Sequence, residues 1–125
     1  MRGACLCGQA VFGVDGPLRP VVICHGTHCR RLSGHCSASF DADEATFAHS
    51  ARSALTEYET PGGARRGFRG CCGSDLWCSA GNDVRSVEAG VVNGRTAGGL
   101  AEQIFVANKG DYHAITDGLR QADCQ

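Results

Sequence analysis

The chain has 125 residues, with 12 Lys+Arg against 13 Asp+Glu and a net charge of −1, so one domain spanning residues 1–125 is expected, and no global positive field draws it to nucleic acid or anionic membrane. Its longest purely apolar run, Val21 to Ile23 leading into Cys24, falls far short of the roughly 20 residues a membrane helix needs. Nine cysteines behind an N-terminus with no apolar stretch of signal-peptide length predict a cytoplasmic chain whose thiols serve metal ligation or thiol chemistry, not a disulfide framework.

Eighteen glycines cut the chain into short apolar runs with no sustained amphipathic pattern, which predicts a mainly β fold. In chain order the expected strands are Gln9 to Val14, Leu18 to Ile23, Cys36 to Asp41, Leu55 to Glu59, Arg66 to Arg69, Asp75 to Ser79, Arg85 to Ala89 and Gln103 to Ala107. Asp15-Gly16-Pro17, Pro61-Gly62-Gly63, Gly81-Asn82-Asp83 and Asn93-Gly94 supply the turns between them. One short helix is expected over Thr27 to Leu32, with Thr27 as its N-cap and Gly34 as its stop.

Three groups of residues carry potential chemistry. Cys5-Leu6-Cys7, read as an extended segment, turns both thiols to one side, where they can reach a single cation. The second group is Cys71-Cys72, inside the glycine-flanked stretch Gly70 to Ser74, which has the form of a zinc knuckle. Cys24-His25-Gly26-Thr27-His28-Cys29-Arg30-Arg31 is the third and densest group, with two thiols, two imidazoles and two guanidinium groups in eight residues. Thiolates and neutral imidazoles are donors that zinc favours. The plainer alternative is that Cys5 and Cys7 are small core hydrophobes and the histidines of the third group exposed polar residues.

Taken in order, Gly3-Ala4-Cys5-Leu6-Cys7-Gly8, Cys24-His25-x-x-x-Cys29-Arg30-Arg31-x-x-Gly34 and Arg66-Gly67-Phe68-x-x-x-Cys72-Gly73-Ser74-x-Leu76 resemble the glutathione-dependent formaldehyde-activating and centromere protein V family. The likeness continues through Gln103-Ile104-Phe105-Val106, Lys109 and Asp117-Gly118-Leu119. The resemblance implies a β-tent of antiparallel sheets with zinc-knuckle-like sites, zinc as cofactor, and addition of formaldehyde to a small thiol such as glutathione by a carbon–sulfur lyase. It also implies a structural zinc on Cys5, Cys7 and Cys72, with Arg69 standing where a fourth cysteine is expected. A catalytic zinc would fall to Cys24 and Cys29, with Gly26 in the middle ligand position.

Cys71 is a candidate to replace the ligand lost at Arg69, and His28 the one lost at Gly26, because residues four apart share a helical face. Arg69 is expected to turn to solvent or to a carboxylate; turned inward, it is expected to leave the first site metal-free. Arg30, Arg31, Arg65 and Arg66 offer a rim for the carboxylates of a tripeptide. Cys36 and Cys78 read as core residues, Cys78 packing with Trp77. Cys124 reads as an exposed thiol, and His35, His49 and His113 as surface or satisfied side chains. The competing function is a non-catalytic β-tent scaffold with partial or absent metal sites. A redox protein using Cys71-Cys72 or Cys24 and Cys29 is a weaker third reading, since neither pair has Cys-x-x-Cys spacing.

Overall fold

The computed structural model describes residues 1–17, 19–50, 54–96 and 98–124. Two sheets account for most of it. Strands β1 (Arg2–Ala4), β2 (Val11–Gly13) and β5 (Ala48–His49) form a small antiparallel sheet in the order β1-β2-β5. The larger sheet contains β3 (Val21–Cys24), β4 (Ser37–Asp43), β6 (Thr56–Glu59), β7 (Arg65–Phe68), β8 (Asp75–Ser79), β9 (Val84–Glu88), β10 (Leu100–Ile104) and β11 (Arg120–Gln121). Their order is β11-β10-β3-β4-β9-β8-β7-β6. From β3 to β6 the neighbours are antiparallel, whereas β10 runs parallel to both β3 and β11. The mainly β architecture with a short helix is therefore as expected, with a parallel margin added at one edge.

Register explains how the large sheet can be apolar on one face and reactive on the other. Side chains alternate along a strand, so Gly67, Trp77, Val87 and Phe40, paired across β7, β8, β9 and β4, form one row on a common face. Trp77, Val87 and Phe40 are buried against the small sheet, from which Phe12 stacks on Phe47 at 5.1 Å. Phe47 in turn meets the edge of Trp77. Full burial of such side chains is worth about 1.5–3 kcal/mol each, so this layer anchors the fold.

The next row, one residue out of phase, holds Arg66, Cys78, Ser86 and Asp41 and so faces away from the core. Cys78 therefore does not pack with Trp77 as expected, because adjacent strand residues point to opposite faces. The same pleat separates exposed Arg65 from buried Arg66, which breaks up the expected four-arginine rim.

Helix α1 (Thr27–Ser33) follows β3 and ends at Gly34, whose left-handed φ of 82° lets its N–H reach the Arg30 carbonyl. The N-cap is Gly26, not Thr27, and no side chain caps this end. Short 3₁₀ turns occur at Glu44–Thr46, Ala89–Val91 and Val106–Asn108. Strands β1, β5 and β11 had no sequence expectation, being two or three residues long. Leu18, the first residue of one expected strand, lies outside the described residues.

Candidate functional site

Two cysteine centres form in different parts of the structure. At the first, Cys5-Leu6-Cys7 is a turn and not an extended segment: Gly8, at φ 75°, donates its N–H to the Cys5 carbonyl. Arg69 to Ser74 makes a similar turn, in which the Gly73 N–H bonds the Arg69 carbonyl and the Arg69 N–H bonds the Ser74 carbonyl. The Leu6 N–H donates to Ser74 Oγ at 2.9 Å and ties the two turns together.

As a result the ligand atoms of Cys5, Cys7 and Cys72 lie within 4.8 Å of one another, close enough to hold a metal ion. Cys5 Sγ and Cys7 Sγ are 3.5 Å apart. Cys5 is buried, Cys72 half-buried and Cys7 exposed; Cys71 is exposed and is not brought into this group. Burial pushes the Cys5 thiol up, but the Ala10 amide and Cys7 outweigh it and the net shift is downward. The Ser74 hydroxyl and amide, with the Cys7 amide, hold the Cys72 thiol down at about 6.

Arg69 does not turn to solvent or to a carboxylate. Its Nη1 donates to the Ala54 carbonyl at 2.8 Å, and its guanidinium lies within electrostatic reach of Cys7, Cys71 and Cys5. A cation therefore already adjoins the three thiols.

The second centre is the junction of β3 and α1. Cys24 ends β3, and α1 carries Cys29 back toward it. His28 is exposed, because the helix starts at Thr27 and Cys24 is not part of its i, i+4 ladder. A cleft of about 380 Å³ opens here, lined by Cys24, Gly26, Thr27, His28, Cys29, Arg66, Phe105 and Asn108. Phe105 adopts a left-handed backbone, φ 53° and ψ 38°, uncommon for a bulky residue. The Phe105 N–H bonds the Cys124 carbonyl, which helps fix this backbone beside the cleft.

Arg66 is the charged group beside these thiols. Only 8% of its side chain is exposed, and it lies 3.9 Å from Asp75. Its Nη2 donates to Cys29 Sγ at 3.5 Å. A hydrogen bond from Cys24 and then the Arg66 guanidinium bring Cys29 down to about 6, against the opposing effect of burial. The same contact with Cys29, together with burial, pushes Cys24 up, and of the two thiols it is Cys29 that has the Arg66 guanidinium beside it.

A zinc ligand set does not fit this cleft. Among the described residues no third donor joins Cys24 and Cys29, and a guanidinium that bonds Cys29 can only donate. A third thiol at position 26 would be crowded: a Cβ built on Gly26 would lie 3.3 Å from Cys24 Sγ and 3.6 Å from the Phe105 ring, so Cys24 would have to give way slightly.

Two features here were beyond sequence reasoning. Glu88, beside Ser37 on the reactive face, accepts the Ser37 hydroxyl at 2.6 Å, and burial raises its carboxyl to about 7. Next to Cys24, His25 is 1% exposed, and its Nε2 pairs with Gln103 Oε1 at 2.6 Å. Asp117 accepts from Gln103 Nε2 at 2.8 Å, which fixes the orientation of the Gln103 amide. His25 also stacks on His113, which meets the edge of the His35 ring, and His35 bonds the Tyr112 hydroxyl. His49 accepts from Trp77 Nε1 at 3.0 Å. The histidines expected to be surface or satisfied thus have partners.

These features define a class: a mainly β protein with a cysteine knuckle and, separately, a paired-thiol cleft backed by a buried arginine. The chain belongs to the glutathione-dependent formaldehyde-activating enzyme family, whose profile matches residues 1–108. The crystal structure of a Rhodobacter sphaeroides protein is similar in fold, with a TM-score of 0.67 and 18% identity, covering 81% of this chain and 100% of that one. No curated protein matches the chain at a significant level. No helix among the described residues is long and apolar enough to cross a membrane.

Proposed function

We propose that the chain joins a small thiol such as glutathione to formaldehyde, as a carbon–sulfur lyase of the S-(hydroxymethyl)glutathione synthase type, in the cleft over Cys24 and Cys29. One observation carries the reading beyond family membership: Cys24, Cys29 and the buried Arg66 share one cleft of about 380 Å³. In the forward direction the substrate S–H loses its proton and the sulfur lone pair attacks the formaldehyde carbon. The carbonyl oxygen then takes a proton to give R–S–CH₂–OH. Cys29, held as thiolate by Arg66, is the acceptor for the first proton. Cys24 keeps its own and is the donor to the forming alkoxide; the hydrogen bond between the two cysteines returns the proton afterwards. Arg66 offsets negative charge as it moves between sulfur and oxygen.

A second reading, a non-catalytic β scaffold, draws on Gly26 and Arg69, which stand at two positions where the family pattern has ligands. One experiment separates the two readings. Glutathione and ¹³C-formaldehyde exchange with their adduct, and the interconversion rate is read by exchange NMR with and without protein. Acceleration by the wild type that falls by roughly 10²-fold or more in Cys29→Ser is expected. Equal rates with and without wild-type protein would leave the scaffold reading.

A further inference from the structure

The knuckle formed by Cys5, Cys7 and Cys72 lies apart from the thiol cleft and has no part in the chemistry above. A closed four-thiol zinc site does not fit it, because the residue at the fourth position is Arg69. A guanidinium has no lone pair to give, remains charged at any physiological pH, and is anchored here to the Ala54 carbonyl within electrostatic reach of Cys7. Zinc in closed structural sites takes four ligands. Three thiols within 4.8 Å of one another, with no fourth ligand, suit an ion that is both softer and content with fewer donors.

We propose that Cys5, Cys7 and Cys72 form a three-coordinate site for a soft thiophilic cation of the monovalent copper class, with Arg69 as its built-in counter-charge. Three thiolates around a monovalent ion leave a surplus negative charge, and the guanidinium beside Cys7 offsets part of it. The donors are held in advance: the Ala10 N–H bonds Cys5 Sγ at 3.2 Å, and the Leu6 to Ser74 bond joins the two turns. The exposed Cys7 gives an incoming ion its point of entry.

The test is a titration of the reduced chain, under anaerobic conditions, with monovalent copper against a chromophoric copper chelator and with zinc against a chromophoric zinc chelator. One tightly held copper should survive in the Cys24→Ser/Cys29→Ser double variant and be lost in Cys5→Ser, and X-ray absorption should find three sulfur donors around it. Arg69→Cys should raise zinc affinity at the knuckle by about 100-fold or more, since it completes a four-thiol set. Copper retained unchanged in Cys5→Ser, or zinc affinity unchanged in Arg69→Cys, would overturn the proposal. Arg69→Gln, which removes the charge without adding a ligand, keeps the test open if Arg69→Cys does not fold. It should weaken copper binding about tenfold, the usual scale of one charged hydrogen bond, and tighter copper binding in that variant would equally overturn the assignment.

Discussion

Glu88 and Arg85 show how charge is managed on opposite faces of one strand. Burial raises the Glu88 carboxyl from 4.5 to about 7, so the folded chain holds this proton more tightly than the unfolded chain does. Its contribution to stability is fully present below the unfolded value near 4.5 and is lost as pH rises through about 7. Burial moves Asp75 in the same direction. Glu88→Gln should flatten the pH dependence of urea unfolding midpoints across that window, removing a slope that totals on the order of 3 kcal/mol. On the core face, Arg85 donates to Glu44 at 2.6 Å while its guanidinium lies 4.5 Å from the Phe47 ring centre and 4.0 Å from that of Trp77. Arg85→Ala leaves Glu44 with the Ser79 hydroxyl as its hydrogen-bond donor and removes two cation–π contacts, so a loss of about 2–4 kcal/mol is expected by chemical denaturation. The identities of the reactive cysteines were legible in the sequence because their spacing is local. Arg66 at Cys29 and Gln103 at His25 were not, since their partners lie 37 and 78 residues away and only the sheet order brings them together.

At the scale of elements, close approach sets the limits. A Cβ on Gly67 would stand 2.2 Å from the Trp77 indole, so Gly67→Ala must push β7 away from β8 or expel the ring from the core. A destabilisation of about 3 kcal/mol or more is expected from the thermal midpoint, above the usual range for overpacking because the obstacle is a buried aromatic ring. Gly26 is different. Its φ of −56° suits any residue, and a side chain there would point toward Cys24. Once Cys24 gives way slightly to admit its Cβ, Gly26→Cys should raise zinc affinity at the cleft by about 100-fold or more, measured by chelator competition in the Cys5→Ser background. Most strand positions followed from alternation and turn residues. The knuckle at Cys5 to Gly8 did not, because a Cys-x-Cys pair reads equally well as extended chain or as turn, and Gly8 decides between them. The parallel pairing of β10 with β3 could not be read either, since it depends on a crossover longer than any local pattern.

For the whole molecule, the sequence pointed to a mainly β chain carrying two cysteine centres, and the structure has this form. What it could not foresee was that each centre has its own arginine. Arg66 stands at the cleft thiols and Arg69 at the knuckle thiols, so positive charge adjoins both groups of sulfur through the fold itself. The resemblance implied zinc with Arg69 at one missing ligand position, and the structure places three thiols at the knuckle close enough to hold a metal ion with that arginine nearby. The proposed thiol site at Cys24 and Cys29, beside Arg66, is open to a titration of ¹⁵N-labelled reduced protein with glutathione in which the amide shifts are mapped. Saturable shifts are expected at residues 26–31, at Arg66 and at Phe105 to Asn108, and they should be lost in Cys29→Ser. Shifts confined to the knuckle residues, or no saturable shifts at all, would rule out thiol binding at this cleft.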